Sequence, residues 1–263
     1  MKCAIAACAL VLLAAPASAQ WIAPPPAAEA PAHPEFFPRY DFHLSADLTA
    51  SGDKRFWWDT HFGGDFDLVD YGAGRLTFLA DYQAVLGKQL RLFDPNQGNY
   101  LLEFSTSARA RHTEVFAVFH HESRHLGDRT KIVAIAWNVL QARVYHNIAV
   151  RGSTIELRGD IGKVVGHAFV DYNWTADADA KVSRPIARHL SAYGRGYAET
   201  FSIRRNESTR GRQTGGRVEG GVHLAGRNGA IELFAGYERI VDADPFQEMP
   251  LSWAFAGFRL VNK

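Results

Sequence analysis

From Tyr40 onward, apolar and polar residues alternate along most of the chain. Phe42, Leu44, Ala46 and Leu48 interleave with Asp41, His43, Ser45, Asp47 and Thr49. Leu76, Phe78, Ala80, Tyr82, Ala84 and Leu86 form a second row, with Thr77, Asp81 and Gln83 opposite. Leu102, Phe104, Thr106 and Ala108 face away from Glu103, Ser105, Ser107 and Arg109, and Ala168, Val170, Tyr172 and Trp174 away from Asp171, Asn173 and Thr175. Ile231, Leu233, Ala235 and Tyr237 oppose Glu232, Phe234, Gly236 and Glu238 near the end. A period of two is that of a β-strand with a different environment on each face. Rows of about ten residues are long enough to cross a bilayer when tilted.

Twelve such rows are expected, at roughly 40–50, 60–71, 74–87, 99–111, 113–123, 130–145, 153–161, 165–175, 192–205, 212–225, 229–240 and 250–261. Strands that cross lipid must pair every backbone group, so the sheet has to close on itself. The expected fold is therefore all-β: a closed antiparallel transmembrane β-barrel of about 12 strands. The soluble alternative, a sandwich or lipocalin-like barrel, uses strands of about five or six residues. It would also have to hold Asp65, Asp67, Glu103, Arg109, Glu199, Glu219 and Glu232 in a dry core. Such charges are ordinary in a barrel lumen.

Turn lengths add an orientation. Tyr71-Gly72-Ala73-Gly74 and Gly226-Arg227-Asn228-Gly229 are short, as turns after even strands should be if the N-terminus is periplasmic. Connections after odd strands, such as 87–98 and 124–129, are longer. Residues 176–190 break this rule and read as a long turn or small insertion, with Asp177-Ala178-Asp179 as solvated loop. Trp57, Trp58, Trp137, Trp174 and Trp253 read as interfacial girdle residues.

The N-terminus changes the setting. Lys2, the apolar run Cys3–Ala15 and Ala17-Ser18-Ala19 make residues 1–19 an export signal. Residues 20–39 are Pro/Ala-rich, and 40–263 form the barrel. Both cysteines, Cys3 and Cys8, fall in the signal, so no disulfide or thiolate metal site is expected after export. Without Lys2 the chain carries 28 residues of each charge sign, and no nucleic-acid partner is implied.

Candidate chemistry concentrates in Phe119-His120-His121-Glu122-Ser123-Arg124-His125-Leu126-Gly127-Asp128. In a strand, His121, Ser123 and His125 share one face. A histidine two residues from a serine can reach its hydroxyl, the minimum needed to activate a nucleophile. The midpoint between His121 and Asn138 lies between Arg129 and Thr130, so a symmetric hairpin sets Asn138 opposite His121. That completes a Ser-His-Asn set: nucleophile Ser123, base His121 and tautomer holder Asn138. Two other readings stand beside it. The polar cluster can simply hydrogen-bond at the barrel rim, or His120, His121, His125, Glu122 and Asp128 can bind a metal, although strand alternation splits His120 and Glu122 from the other histidines and the loop would have to fold back.

His121-Glu122-Ser123, followed in the next strand by Trp137-Asn138, resembles the catalytic hairpin of the outer membrane phospholipase A family. That resemblance implies a twelve-stranded barrel with a Ser-His-Asn site on its lipid-facing surface. It also implies calcium, with Asp128 as the nearest loop carboxylate, and a calcium-assisted homodimer. The His-x-Ser pair is similar to that of lipid A deacylase barrels, whose third member is a glutamate. The longer pattern His121-x-Ser123-x-His125-Leu126-Gly127-Asp128 resembles a family of uncharacterised bacterial outer-membrane barrels. The phospholipases continue after the serine with Asn-Gly, where this chain has Arg124-His125, and they space serine and asparagine more closely than the fifteen residues here. Trp253–Leu260 resembles the C-terminal signal of outer-membrane barrels, which implies handling by the barrel-assembly machinery. The expected function is lipid-ester hydrolysis in the outer membrane, on phospholipid or lipopolysaccharide. The alternative is a non-catalytic barrel, either a small channel or a structural or assembly protein.

Overall fold

The computed structural model describes residues 31–127 and 133–262, so the export signal at 1–19 and Asp128 lie outside the described residues. Twelve strands follow one another: β1 Glu35–Thr49, β2 Trp58–Asp70, β3 Arg75–Gly87, β4 Asp94–Ala110, β5 Thr113–Leu126 and β6 Ile135–Val150. Then come β7 Ser153–Ala168, β8 Tyr172–Ala187, β9 Leu190–Ile203, β10 Gln213–Ala225, β11 Ala230–Asp244 and β12 Met249–Val261. Each pairs antiparallel with its sequence neighbours, and β1 pairs with β12 to close the barrel. Closure leaves no free sheet edge.

The side chains are distributed inside-out. Asp47 and Glu232 are 0% and 2% exposed in the lumen, whereas Phe62, Leu140 and Ile161 are 61%, 55% and 58% exposed on the outer wall. An apolar outer wall over a charged interior is the arrangement a hydrocarbon surrounding requires. All seven expected interior charges point inward. Glu103 and Asp160 share Arg143, and Glu219 and Glu232 share Arg259.

Two expectations are corrected. Residues 176–187 are not a loop but most of β8, and the turn to β9 is only Arg188-His189. Asp177 and Asp179 face the lumen, paired with Arg158 and Arg195. Between them, Ala176, Ala178 and Ala180 supply too little hydrophobic contrast for the alternation to stand out. All turns after even-numbered strands are therefore tight, and the connections 50–57, 88–93, 169–171, 204–212 and 245–248, of which 50–57, 88–93 and 204–212 are the long ones, sit at the opposite rim. Trp137 and Trp253 are also not girdle residues: both are buried inside, whereas Trp174 lies open on the outer face. Strand β1 starts at Glu35, ahead of the expected 40. Pro38 is accommodated there because it falls in a bulge between Phe36 and Arg39, where the ladder is already broken.

The long-connection rim is plugged from inside. The β11–β12 register shifts between Ile240 and Asp244, and Asp242 takes a positive φ of 48°. The bulge carries Val241 and Ala243 into the lumen, where both are buried. Arg124 Nη1 donates to the Asp242 carbonyl at 2.9 Å and Gln97 Nε2 to the Ala243 carbonyl at 2.5 Å, both from the opposite wall. Val241 packs with Trp137, Val139, Tyr172 and Phe201, while Ala243 joins Phe56, Val85, Trp253 and Phe255. From the 204–212 connection, Arg210 reaches Asp242 at 2.5 Å and Asp171 at 3.2 Å. Burial opposes the Arg210 charge, yet Asp242 and Asp171 hold its guanidinium above the ordinary arginine range. A cavity of about 160 Å³ among Tyr145, Glu156, Asp179, Lys181 and Arg259 remains at the tight-turn end.

Candidate functional site on the outer wall

Strand β5 divides its side chains cleanly. Val115, Ala117, Phe119, His121, Ser123 and His125 point outward, and Glu114, Phe116, Val118, His120, Glu122 and Arg124 point into the lumen. The inner set fixes the strand. His120 Nδ1 meets Glu103 at 2.9 Å, Arg124 Nε donates to Glu122 at 3.1 Å, and the Arg124 guanidinium lies 5.2 Å over the Trp137 ring. The strand behind the outer row is thus held by buried charge pairs and by the plug.

On the outer face the β5–β6 register sets His121 opposite Asn138, as the hairpin symmetry required. Their side chains meet: His121 Nδ1 and Asn138 Oδ1 are 2.7 Å apart. With the amide oxygen as acceptor, His121 donates from Nδ1. Its Nε2 is then the basic nitrogen. Asn138 Nδ2 turns the other way, over Gly166 on β7, where a Cβ would stand only 3.2 Å from it.

Ser123 lies between Tyr100 on β4 and Ala136 on β6. Alanine leaves the hydroxyl open on one side. No hydrogen bond joins Ser123 to His121 among the described residues. The Oγ instead lies 3.4 Å from His125 Nε2, and the His125 ring stands edge-on to Tyr100 at 5.3 Å. His125 faces Gly98, over which the Tyr82 hydroxyl leans, so a side chain at 98 would collide with that ring. The structure therefore brings His121 and Asn138 together and places Ser123 beside them, while Asp128 lies outside the described residues. Sequence placed His125 in the row but did not reveal its contact with Ser123. The same i, i+2 spacing that singled out His121 applies equally to His125.

The metal set is divided by strand alternation, as expected. His120 and Glu122 belong to the lumen, on the other side of the wall from His121 and His125. Among the described residues, no group of three His, Cys, Asp or Glu side chains is placed to hold a metal ion.

No protein-family model matches the chain, and no curated protein sequence does. Solved structures do. Outer membrane phospholipase A from Escherichia coli superposes with a TM-score of 0.51 at 11% identity, over 87% of this chain and 98% of that one. The calcium-bound dimer of the Salmonella typhi outer membrane phospholipase gives 0.51 and 11%, over 90% and 94%. An active-site mutant of the Escherichia coli enzyme, with an asparagine replaced by alanine, gives 0.51 and 11% over 87% and 91%. The likeness is one of fold.

Proposed function

We propose that the protein is an outer-membrane hydrolase of lipid acyl esters, with Ser123 as nucleophile, His121 as general base and Asn138 as the group that fixes the imidazole. The observation that carries this reading is the 2.7 Å His121–Asn138 bond on the apolar outer wall, two residues from a half-open serine. A serine hydroxyl becomes nucleophilic only beside a base, and a base works best when its tautomer is held. Rotation about the Ser123 Cα–Cβ bond, between staggered wells, carries Oγ from His125 toward His121. Attack on the ester carbonyl then sends the Oγ proton to His121 Nε2. Collapse of the tetrahedral adduct breaks the ester C–O bond, and His121 returns the proton to the leaving alcohol. Water repeats the sequence on the acyl-serine and frees the fatty acid.

The phospholipase fold and the asparagine of the Escherichia coli active-site mutant support the assignment. So does the site's location on the outer wall, where lipid reaches it without entering the lumen. The substrate partners on this reading are outer-membrane lipids, phospholipid or lipopolysaccharide. Export through the 1–19 signal and folding by the barrel-assembly machinery bring the chain there. The Salmonella typhi phospholipase is a calcium-bound dimer, which makes calcium and a homodimer the corresponding expectations here. The described donors do not make up a calcium site, so no step runs through the ion, and Asp128 is the residue whose role a calcium arm would test.

A rival reading, a structural barrel, draws on the lumen packed with ion pairs and on the Ser123–His125 contact. Covalent labelling separates the two. Folded protein treated with a fluorophosphonate ester should gain one adduct, on Ser123, located by peptide mass spectrometry. His121→Ala should label far more slowly. No adduct on Ser123, or equal labelling of both proteins, contradicts the hydrolase.

A further inference from the structure

Acyl transfer needs a donor for the oxyanion that forms when the carbonyl is attacked. In many hydrolases backbone N–H groups beside the nucleophile serve. Here they are committed. Residues 121–124 pair with β4 on one side and with β6 on the other, so their N–H groups are spent on the two ladders. Asn138 Nδ2 points to β7, away from Ser123. The side chain within hydrogen-bond distance of Ser123 Oγ is His125, through Nε2 at 3.4 Å.

We infer that His125 is a further catalytic residue, donating from Nε2–H to the carbonyl oxygen of the bound ester. The inference rests on the hydrolase reading above and completes it. Two histidines flank the serine on one face, two residues to either side. His121 is tied to Asn138 as the base, while among the described residues His125 meets Ser123 and Tyr100 and no carboxylate or amide. In the resting arrangement His125 Nε2 lies 3.4 Å from Ser123 Oγ, and the proposed role places the ring hydrogen on that nitrogen. When Oγ turns to His121 and bonds the carbonyl carbon, the carbonyl π pair moves onto oxygen, two bonds away from Oγ. That oxygen takes the place beside Nε2–H that the hydroxyl has left. Donation strengthens as negative charge grows, which is the requirement for transition-state stabilisation. The ring's edge-on contact with Tyr100 orients the imidazole.

The test compares wild type, His125→Phe, His125→Gln and Ser123→Ala, each shown to be folded by its heat-dependent gel mobility. The substrate is diacyl phosphatidylethanolamine in detergent micelles, with and without calcium. Phenylalanine keeps the packing on Tyr100 but has no N–H, and glutamine restores an N–H. The expected result is a fall in kcat of about 10²-fold for His125→Phe with KM nearly unchanged, and roughly tenfold recovery in His125→Gln. Wild-type turnover by His125→Phe, with Ser123→Ala inactive, overturns the role of His125 and leaves the hydrolase standing. Restoration of His125→Phe by calcium alone overturns it equally. A wild type no more active than Ser123→Ala removes both.

Discussion

His121 Nδ1 and Asn138 Oδ1 stand 2.7 Å apart across the β5–β6 ladder, on the outer face of the wall. The pair is a directional one: the amide oxygen accepts, the ring donates from Nδ1, and Nε2 is left to take a proton. Asn138→Ala should therefore lower kcat for ester hydrolysis by about 10²-fold while changing KM little, because the base loses the group that fixes its tautomer and the binding surface is unchanged. Steady-state turnover on diacyl phospholipid checks it, and a KM effect alone would assign Asn138 to binding.

The lumen should not conduct. The β11 bulge, its Trp137–Tyr172–Phe201 packing and the cross-lumen bonds from Arg124 and Gln97 fill one end of the barrel. Twelve-strand barrels have narrow interiors to begin with. In planar bilayers the folded protein should give no steady single-channel current. A stable open conductance would mean that the plug is displaced in the membrane.

The buried charge net should be brittle. Arg143 joins Glu103 at 2.9 Å and Asp160 at 2.5 Å, and none of the three is more than 4% exposed by side chain. Arg143→Met removes the cation that Glu103 and Asp160 share, leaving them only His120 and Arg158 among the described residues, and breaking a buried pair costs about 3–5 kcal/mol. The midpoint of urea unfolding, followed by loss of the folded gel band, should fall accordingly. An unchanged midpoint would show that water already screens these groups.

The rim connection should depend on one side chain. Arg210 ties the 204–212 segment to Asp242 and Asp171. Arg210→Gln should speed cleavage within 204–212 by an added protease, while the strands stay protected. Equal cleavage of the two proteins would show that the other contacts hold the segment.

Much of this arrangement was readable from residue order, and the reasons are physical. A barrel in lipid puts charge and hydrocarbon on opposite faces of every strand, so period-two alternation carries both strand and facing. Leu44 against Asp47, or Leu233 against Glu232, left little choice. Hairpin symmetry placed Asn138 across from His121 because a β-ladder advances both strands equally. β8 was hidden because Ala176, Ala178 and Ala180 face lipid with almost no hydrophobic signal. The directions of Trp137 and Trp253 were lost for a different reason. An aromatic ring suits either an interfacial girdle or a lumen plug, and only the ladder register separates the two. The rotamer of Ser123 depends on atoms from three strands, so no linear pattern foretold its contact with His125.

The most direct test is mass spectrometry of outer-membrane lipids incubated with the folded protein, wild type against Ser123→Ala, with and without calcium. Hydrolysis at this site requires acyl chains to be lost from phospholipid or lipid A with wild type, and both lipids to stay intact with Ser123→Ala. Intact lipids with both folded proteins, in either calcium condition, would contradict it and leave a closed, non-catalytic barrel.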